Sequence, residues 1–335
     1  MKYLSLPGID TPVSPICLGG MTFGEAGHGW HQWTLDADDT RDIIGYAFER
    51  GITFIDTANS YAHGTSEDYI GRALRDLGIP REKVVLASKV FYNDGGTSAR
   101  AIRREIEGSL RRLRTDYLDL YILHRFDYST PIEETLSTLD DLVRSGKIRA
   151  IGASEMYAYQ FHNMIHAAEI NGWVGFSTMQ CHHNLLYREN ERELLRVCRQ
   201  YGVVPTPYSP LASGHLTRPT WDTESTRSQT DETMRSKYDA ERDNALPIIA
   251  RVKEVADKHG VEMAQVALAW QWSHGPAVPV VGCSRRQRVD QAIAATTLQL
   301  SSDDIAYLEE PYIPRALVGP LAHPGEAALA GEYRA

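Results

Sequence analysis

Short apolar runs alternate with longer segments of helical periodicity along almost the whole chain. The runs that read as strands are residues 14–18, 53–56, 84–89, 118–124, 150–154, 176–180, 203–208 and 277–281. Most are continuous rather than alternating, the pattern of parallel strands covered on both faces. Between them, amphipathic segments at 39–50, 66–77, 99–112, 132–145, 157–171 and 191–201 read as helices. Gly51, Gly146, Gly172 and Gly202 fall where these helices need to stop. Pro131 stands just inside the start of its helix, where a missing N–H does least harm.

Eight strands alternating with helices suit either a closed (β/α)8 barrel or an open doubly wound sheet. No G-x-G-x-x-G follows the first strand, so the usual signature of an open-sheet dinucleotide site is absent and the barrel is favoured. Two segments break the rhythm. Residues 1–13 resemble a hairpin that plugs the barrel from below, and residues 212–246 form a long polar insertion after the seventh strand, the usual form of a lid or binding loop. The chain therefore reads as a single α/β domain over 1–335, a TIM barrel with an irregular tail at 311–335.

Composition narrows the partners. Hydrophobic residues make up 42% of the 335 positions and charged residues 24%, enough apolar material for one large core. The formal net charge of −9 argues against a nucleic-acid or anionic-membrane partner, either of which wants a broad basic face. The four cysteines (Cys17, Cys181, Cys198, Cys283) have no C-x-x-C spacing and read as reduced thiols. The opening MKYLSLPGIDTPVS lacks a long apolar run, and no stretch approaches the length of a membrane span, so a cytoplasmic protein is expected.

In barrels of this class the chemistry gathers at the C-terminal ends of the strands. Strand two ends TFID at Asp56, and Tyr61 follows in ANSYAHG. Strand three ends VVLASK at Lys89, and strand four ends YILH at His124. Alone, Asp56 could cap a turn, Tyr61 could be a loop aromatic and His124 a satisfied core histidine. Lys89 is harder to dismiss, because a lysine closing an apolar strand is costly to bury without a carboxylate. Past strand eight, a helix start at Gly282-Cys283-Ser284-Arg285-Arg286-Gln287-Arg288 would offer free N–H groups and arginines to an anion.

GITFIDTANSYAHGTSEDYIGRAL, VVLASKV and DYLDLYILHRFD resemble the tetrad-bearing motifs of the aldo-keto reductase superfamily. IRAIGAS, TMQ, YSPLASGHL and VPVVGCSRRQRV resemble its cofactor segments in the same order. The resemblance runs from about residue 13 to residue 311 and is closest to a bacterial branch related to aryl-alcohol dehydrogenases and potassium-channel β-subunits. It implies reduction of aldehydes and ketones with NADP(H), with Tyr61 as general acid assisted by Lys89, Asp56 and His124. Lys89 beside Tyr61 is expected to lower the phenol's pKa, Asp56 to keep Lys89 charged, and His124 to orient the carbonyl oxygen.

The resemblance also implies a cofactor site. Tyr208 would stack on the nicotinamide, Ser154 and Gln180 would hold its carboxamide, and Asp56 also counts among the cofactor-binding positions. Gly20 and Met21 would meet it from the first loop. Ser209, Pro210, Leu211, Gly214 and Leu216 would run along the pyrophosphate, and Gly282, Ser284, Arg285, Arg288 and Gln291 would hold the adenosine end, with Arg288 on the 2′-phosphate. No metal is required. Two positions depart from the family pattern. Glu155 replaces the usual Asn after Ser154, and an ionised carboxylate there accepts from a carboxamide without donating and favours the cationic, oxidised ring. Gln291-Ala292 replaces the common Glu-Asn at adenine.

Phe23, Trp30, Trp33, Tyr92, Phe126, Tyr128 and Trp221 are candidates to line a pocket for a small carbonyl substrate, aromatic aldehydes included, with His31 or Arg125 meeting a polar end. The channel-subunit resemblance keeps a second class open: a non-catalytic or slow NADP(H)-sensing regulatory subunit. A Schiff-base aldolase using Lys89 is a third reading. A metallohydrolase is disfavoured, since the adjacent His182 and His183 find no further strand-end histidines. The oligomeric state is not encoded in any of these features.

Overall fold

The continuous apolar runs become a ring of strands because helices cover one face and packed side chains fill the other. In the computed structural model, residues 1–27, 31–221 and 229–316 are described. A hairpin comes first, β1 (Leu4–Leu6) paired antiparallel with β2 (Ile9–Val13). Eight parallel strands follow: β3 (Cys17–Gly19), β4 (Phe54–Asp56), β5 (Val85–Val90), β6 (Leu118–Leu123), β7 (Ile148–Ser154), β8 (Phe176–Gln180), β9 (Val204–Pro205) and β10 (Val280–Val281). They hydrogen-bond in the order β10-β3-β4-β5-β6-β7-β8-β9. The ring closes where the Val278 N–H donates to the Pro205 carbonyl at 2.9 Å and the Val280 N–H to the Pro207 carbonyl at 2.8 Å. This is the (β/α)8 barrel that the sequence pattern predicts.

The last two strands are shorter than the apolar runs that announce them. Pro205, Pro207 and Pro279 have no N–H to give to a ladder, so regular pairing survives for only two residues in each. Tyr208 lies beyond β9 and is tied to its neighbours by isolated bridges to His182 and Val280.

The helices flank the ring in sequence order: α1 (Ala37–Glu49), α2 (Thr65–Asp76), α3 (Ala99–Leu113), α4 (Ile132–Arg144), α5 (Ala158–Asn171) and α6 (Leu194–Tyr201). α1 begins two residues before the expected 39, because Asp36 caps it by accepting from the Asp39 N–H at 3.0 Å. Pro131 is the N-cap of α4 rather than its first helical residue. α6 starts later than 191 because Glu189–Glu191 forms a separate 3-10 turn. Gly172 and Gly202 end α5 and α6 in the left-handed region, at φ 65° and 67°.

Three apolar clusters hold the fold. The largest lies between the ring and its helices. A second fills the lumen, where Leu6, Ile9 and Val13 of the hairpin pack against Phe54, Val85, Leu120, Ile122 and Val278. The hairpin thus closes the end of the barrel opposite the strand C-termini, as the sequence suggests; each such side chain contributes about 1.5–3 kcal/mol by leaving water. The third cluster corrects the reading of 212–246 as a polar loop. Its described part contains the 3-10 segment Ala212–Thr217, the helix Glu232–Tyr238 and the start of the helix Arg242–His259. Trp221, Met234, Tyr238, Ala245 and Ile248 pack there with Trp270. Apolar positions this sparse do not announce a helix, yet enough of them reach one small core.

Buried polar pairs set the approach of helices to strands. Glu67 is fully buried, where a capping role at the surface would leave it exposed. It accepts from Ser88 Oγ at 2.5 Å and from Arg112 Nε at 2.6 Å, joining α2, β5 and α3. Gly71 allows this closeness: a Cβ there would lie 2.5 Å from the Arg112 carbonyl oxygen and 2.7 Å from Leu113 Cα. Backbone cannot swing aside as a side-chain tip can. Gly71→Ala is therefore expected to cost about 1–3 kcal/mol of stability despite the better helix propensity of alanine. A thermal unfolding midpoint equal to wild type would contradict this helix contact.

Candidate active site

Three strands, β4, β5 and β6, deliver the predicted catalytic residues to one mouth. Lys89 is fully buried and Asp56 only 2% exposed. The Lys89 ammonium donates to Asp56 Oδ2 at 2.6 Å, to the Thr57 carbonyl at 2.8 Å and to the Tyr61 hydroxyl at 3.2 Å. All three ammonium hydrogens therefore have acceptors, which is what a buried lysine needs to remain charged. Gln180 Nε2 donates to the other Asp56 oxygen at 3.2 Å, so the carboxylate is held from both sides. The Tyr61 ring meets His124 edge-on, with centroids 5.7 Å apart, and His124 in turn meets Tyr92 at 5.0 Å.

The local backbone explains how Tyr61 reaches the ammonium. After β4 the chain turns through Ala62, His63 and Gly64, all with positive φ, before entering α2. Left-handed alanine and histidine are uncommon and cost energy that the surroundings must offset. Ser66 helps pin this turn: its Oγ donates to the Gly20 carbonyl at 2.7 Å and contacts Thr57 Oγ1 at 2.8 Å.

Burial raises the Tyr61 phenol above its ordinary range, with Lys89 acting in the opposite direction. The expected net lowering is thus reversed, because desolvation outweighs the ammonium. The group consequently stays protonated at neutral pH, as a proton donor must, while Lys89 reduces the cost of its ionised form. Burial pulls Lys89 down, but Asp56 and Tyr61 outweigh it and leave the ammonium above its usual value. Burial, then the nearby Lys89, hold His124 well below the usual histidine value, so its imidazole is neutral. His124 Nδ1 is buried without a protein partner.

A cleft of ≈ 880 Å³ opens over this group. Tyr61, Tyr92, His124 and Asp56 line one part of it, and the expected Met21, Ser154, Gln180, Tyr208, Ser209, Pro210, Leu211 and Gly214 line its middle. Gly282, Ser284, Arg285, Arg288 and Gln291 line the far end. Arg285 is the N-cap of the helix Arg286–Ala295, and Arg286 turns away to an ion pair with Asp42. Two expected wall residues are elsewhere. A Cβ on Gly20 would meet the Asp56 carbonyl at 2.7 Å, so it faces β4, while Leu216 is wholly buried in the cluster under the insertion.

The aromatic candidates divide in the same way. Trp33, His31 and Tyr92 line the cleft. Phe23 is core, Phe126 and Tyr128 pair with each other at 5.0 Å, and Trp221 stacks on His215 at 4.0 Å. Trp30 lies outside the described residues.

The middle of the cleft fits a nicotinamide group. Tyr208 is backed by His182 (centroids 5.3 Å, 15° between planes), which is backed by Tyr187 (4.3 Å, 12°). Among the described residues, Glu155 Oε2 is buried at the same place with no closely placed donor besides the Tyr208 phenol, an acceptor suited to a carboxamide N–H. Glu155 has φ 48°, a conformation asparagine adopts more readily than glutamate. At the far end, Arg285 and Arg288 suit a phosphate monoester. The sequence reading missed His182, Tyr187 and Tyr238 as supports of this platform, and Asp231, Met234 and Lys237 as cleft wall. Ring stacks and contacts from an insertion leave no periodic signal in the sequence.

Comparison with known proteins agrees with this geometry. Residues 15–313 match the model of the aldo/keto reductase family. The chain is 40% identical to a versiconal hemiacetal acetate reductase from Aspergillus parasiticus, over 97% of this chain and 100% of the relative. It is 39% identical to a putative aryl-alcohol dehydrogenase from Schizosaccharomyces pombe, over 95% and 97%. Among solved structures, a glycerol dehydrogenase from Gluconobacter oxydans superposes with a TM-score of 0.76 at 27% identity, covering 94% of this chain and 97% of its own. A thermostable aldo-keto reductase in complex with the inhibitor epalrestat gives 0.74 at 28%, covering 93% and 100%. The curated relatives are fungal proteins resembling aryl-alcohol dehydrogenases, which corrects the expected bacterial branch. The chain belongs to the aldo/keto reductase family.

Proposed function

We propose that this oxidoreductase reduces aldehydes and ketones with NADPH, Tyr61 supplying the proton. The observation that carries the reading is the Tyr61 hydroxyl 3.2 Å from an ammonium that is itself salt-bridged to Asp56, all at the mouth of one cleft. When bound, the nicotinamide supplies the hydride, the chemistry no side chain here can perform. The protein's part is to hold the carbonyl oxygen and give it a proton. As charge builds on that oxygen, Tyr61 donates its proton, and Lys89, already in place, stabilises the phenolate left behind. Asp56 and the Thr57 carbonyl keep the ammonium aimed at the phenol. His124, neutral and next to Tyr61, orients the substrate oxygen without competing as an acid.

Ser154, Gln180 and Glu155 would hold the carboxamide, Tyr208 the ring face, and Arg285 and Arg288 the 2′-phosphate. The two arginines support NADP(H) over NAD(H), since a guanidinium makes stronger, charge-assisted and bidentate bonds to a phosphate than to a neutral ribose hydroxyl. One relative is named a versiconal hemiacetal acetate reductase and another a putative aryl-alcohol dehydrogenase. With Trp33, Tyr92 and His31 on the cleft wall, they support a small carbonyl substrate of partly aromatic character. The cytoplasm is the compartment this reading assigns. Among the described residues, no helix is long and apolar enough to cross a membrane.

Tyr61→Phe is expected to lower kcat for aldehyde reduction by about 10²–10⁴-fold, the usual range for losing a positioned acid. NADPH affinity should stay within about threefold, because the hydroxyl serves the substrate. Retained turnover would refute the assignment, and undiminished NADPH binding without turnover in the wild type would favour a nucleotide-sensing role. Arg288→Leu is expected to weaken NADPH binding by about 10–100-fold, one to two charge-assisted hydrogen bonds, and to leave NADH affinity nearly unchanged. Equal losses for both nucleotides would place the 2′-phosphate elsewhere.

A further inference from the structure

We propose that Lys237, brought to the cleft by the insertion after β9, determines the preference between oxidised and reduced nucleotide by offsetting the charge of Glu155. The proposal rests on the reading that the nicotinamide lies against Tyr208. The helix Glu232–Tyr238 is docked from both ends. Asp231 caps it, accepting from the Met234 N–H at 2.9 Å. Tyr238, nearly inaccessible, shares its hydroxyl with His182 Nε2 at 2.7 Å and accepts from Asn184 Nδ2 at 3.1 Å. The residue before it is thereby fixed over the platform. Lys237 Nζ donates to the Tyr208 hydroxyl at 3.1 Å and lies 4.4 Å from the centroid of its ring.

Glu155, the residue just after β7, meets the same phenol. Its Oε1 accepts from the His182 N–H at 3.2 Å, and among the described residues its buried Oε2 has no closely placed donor besides the neighbouring Tyr208 phenol. Burial raises the Glu155 carboxyl; Lys237, then Tyr208, oppose this. Tyr208 stays a neutral phenol, because burial and then Glu155 push its ionisation up. His182 stays neutral through burial, reinforced by Lys237. Arg125 adds a second cationic contribution at Glu155 and remains in every variant below.

The nicotinamide ring is cationic when oxidised and neutral when reduced. A carboxylate beside it therefore selects the oxidised nucleotide, and an ammonium beside it selects the reduced one. With Glu155 alone the site would favour the product nucleotide of a reductase. Lys237 cancels that bias.

The test is a double-mutant cycle read in dissociation constants of NADP⁺ and NADPH, measured by quenching of protein fluorescence without substrate. Lys237→Met should shift the ratio of the two constants about 5–30-fold toward tighter relative binding of NADP⁺, the range of a single nearby charge at intermediate dielectric. Glu155→Gln should shift it by a similar factor toward NADPH. The double variant should return near the wild-type ratio, and Lys237→Arg should keep it. If Lys237→Met leaves the ratio unchanged, or weakens both nucleotides equally, the proposal is wrong. Failure of the wild type to bind either nucleotide would instead overturn the reading beneath it, and the two failures cannot be confused.

Discussion

The structure depends on keeping one lysine charged where water cannot reach it. Taking an ammonium out of water costs several kcal/mol, and a single carboxylate does not repay that unless the remaining hydrogens are also bonded. Here Asp56, the Thr57 carbonyl and Tyr61 take them all. Much of the surrounding architecture serves that arrangement. Gln180 occupies the second Asp56 oxygen, and a left-handed turn after β4 swings the tyrosine inward. Loss of either partner would leave a bare buried charge, so the fold itself depends on this contact.

A barrel suits this task because its two ends can do different work. The hairpin fills the lower lumen with Leu6, Ile9 and Val13 and leaves the strand C-termini free for polar groups. Helices on the outside bury the other strand faces, and a buried Glu67–Arg112 pair sets how closely two of them approach. Arg285 and Arg288 line one part of the cleft, and Tyr208, backed by His182 and Tyr187, lines another. A ligand with a phosphate at one end and a flat heterocycle at the other matches that gradient.

Much of this was legible in the chain because it has short-range causes. The ring of strands follows from continuous apolar runs, the helix stops from Gly172 and Gly202, and the clustering of Asp56, Lys89 and His124 from polar residues breaking off apolar strands at their ends. What was not legible arises from contacts distant in sequence. The segment 212–246 reads as polar, yet Tyr238 inserts between His182 and Asn184 and carries Lys237 to Tyr208. Leu216 and Gly20 follow the family pattern in sequence, but one sits in a core and the other against β4. The net direction of the Tyr61 shift is hidden for a related reason, since a neighbouring charge can be named from sequence but the extent of desolvation cannot.

In the proposed mechanism Lys89 lowers the cost of the Tyr61 phenolate. The most direct test is a spectroscopic pH titration of the Tyr61 phenol, taken as the ultraviolet difference between each protein and its Tyr61→Phe partner, with Lys89 intact and as Lys89→Met. Removing the ammonium should raise the phenol's apparent pKa by about one to three units, the range of a single opposite charge at this distance. The same apparent pKa in both backgrounds would show that the lysine does not act on the tyrosine.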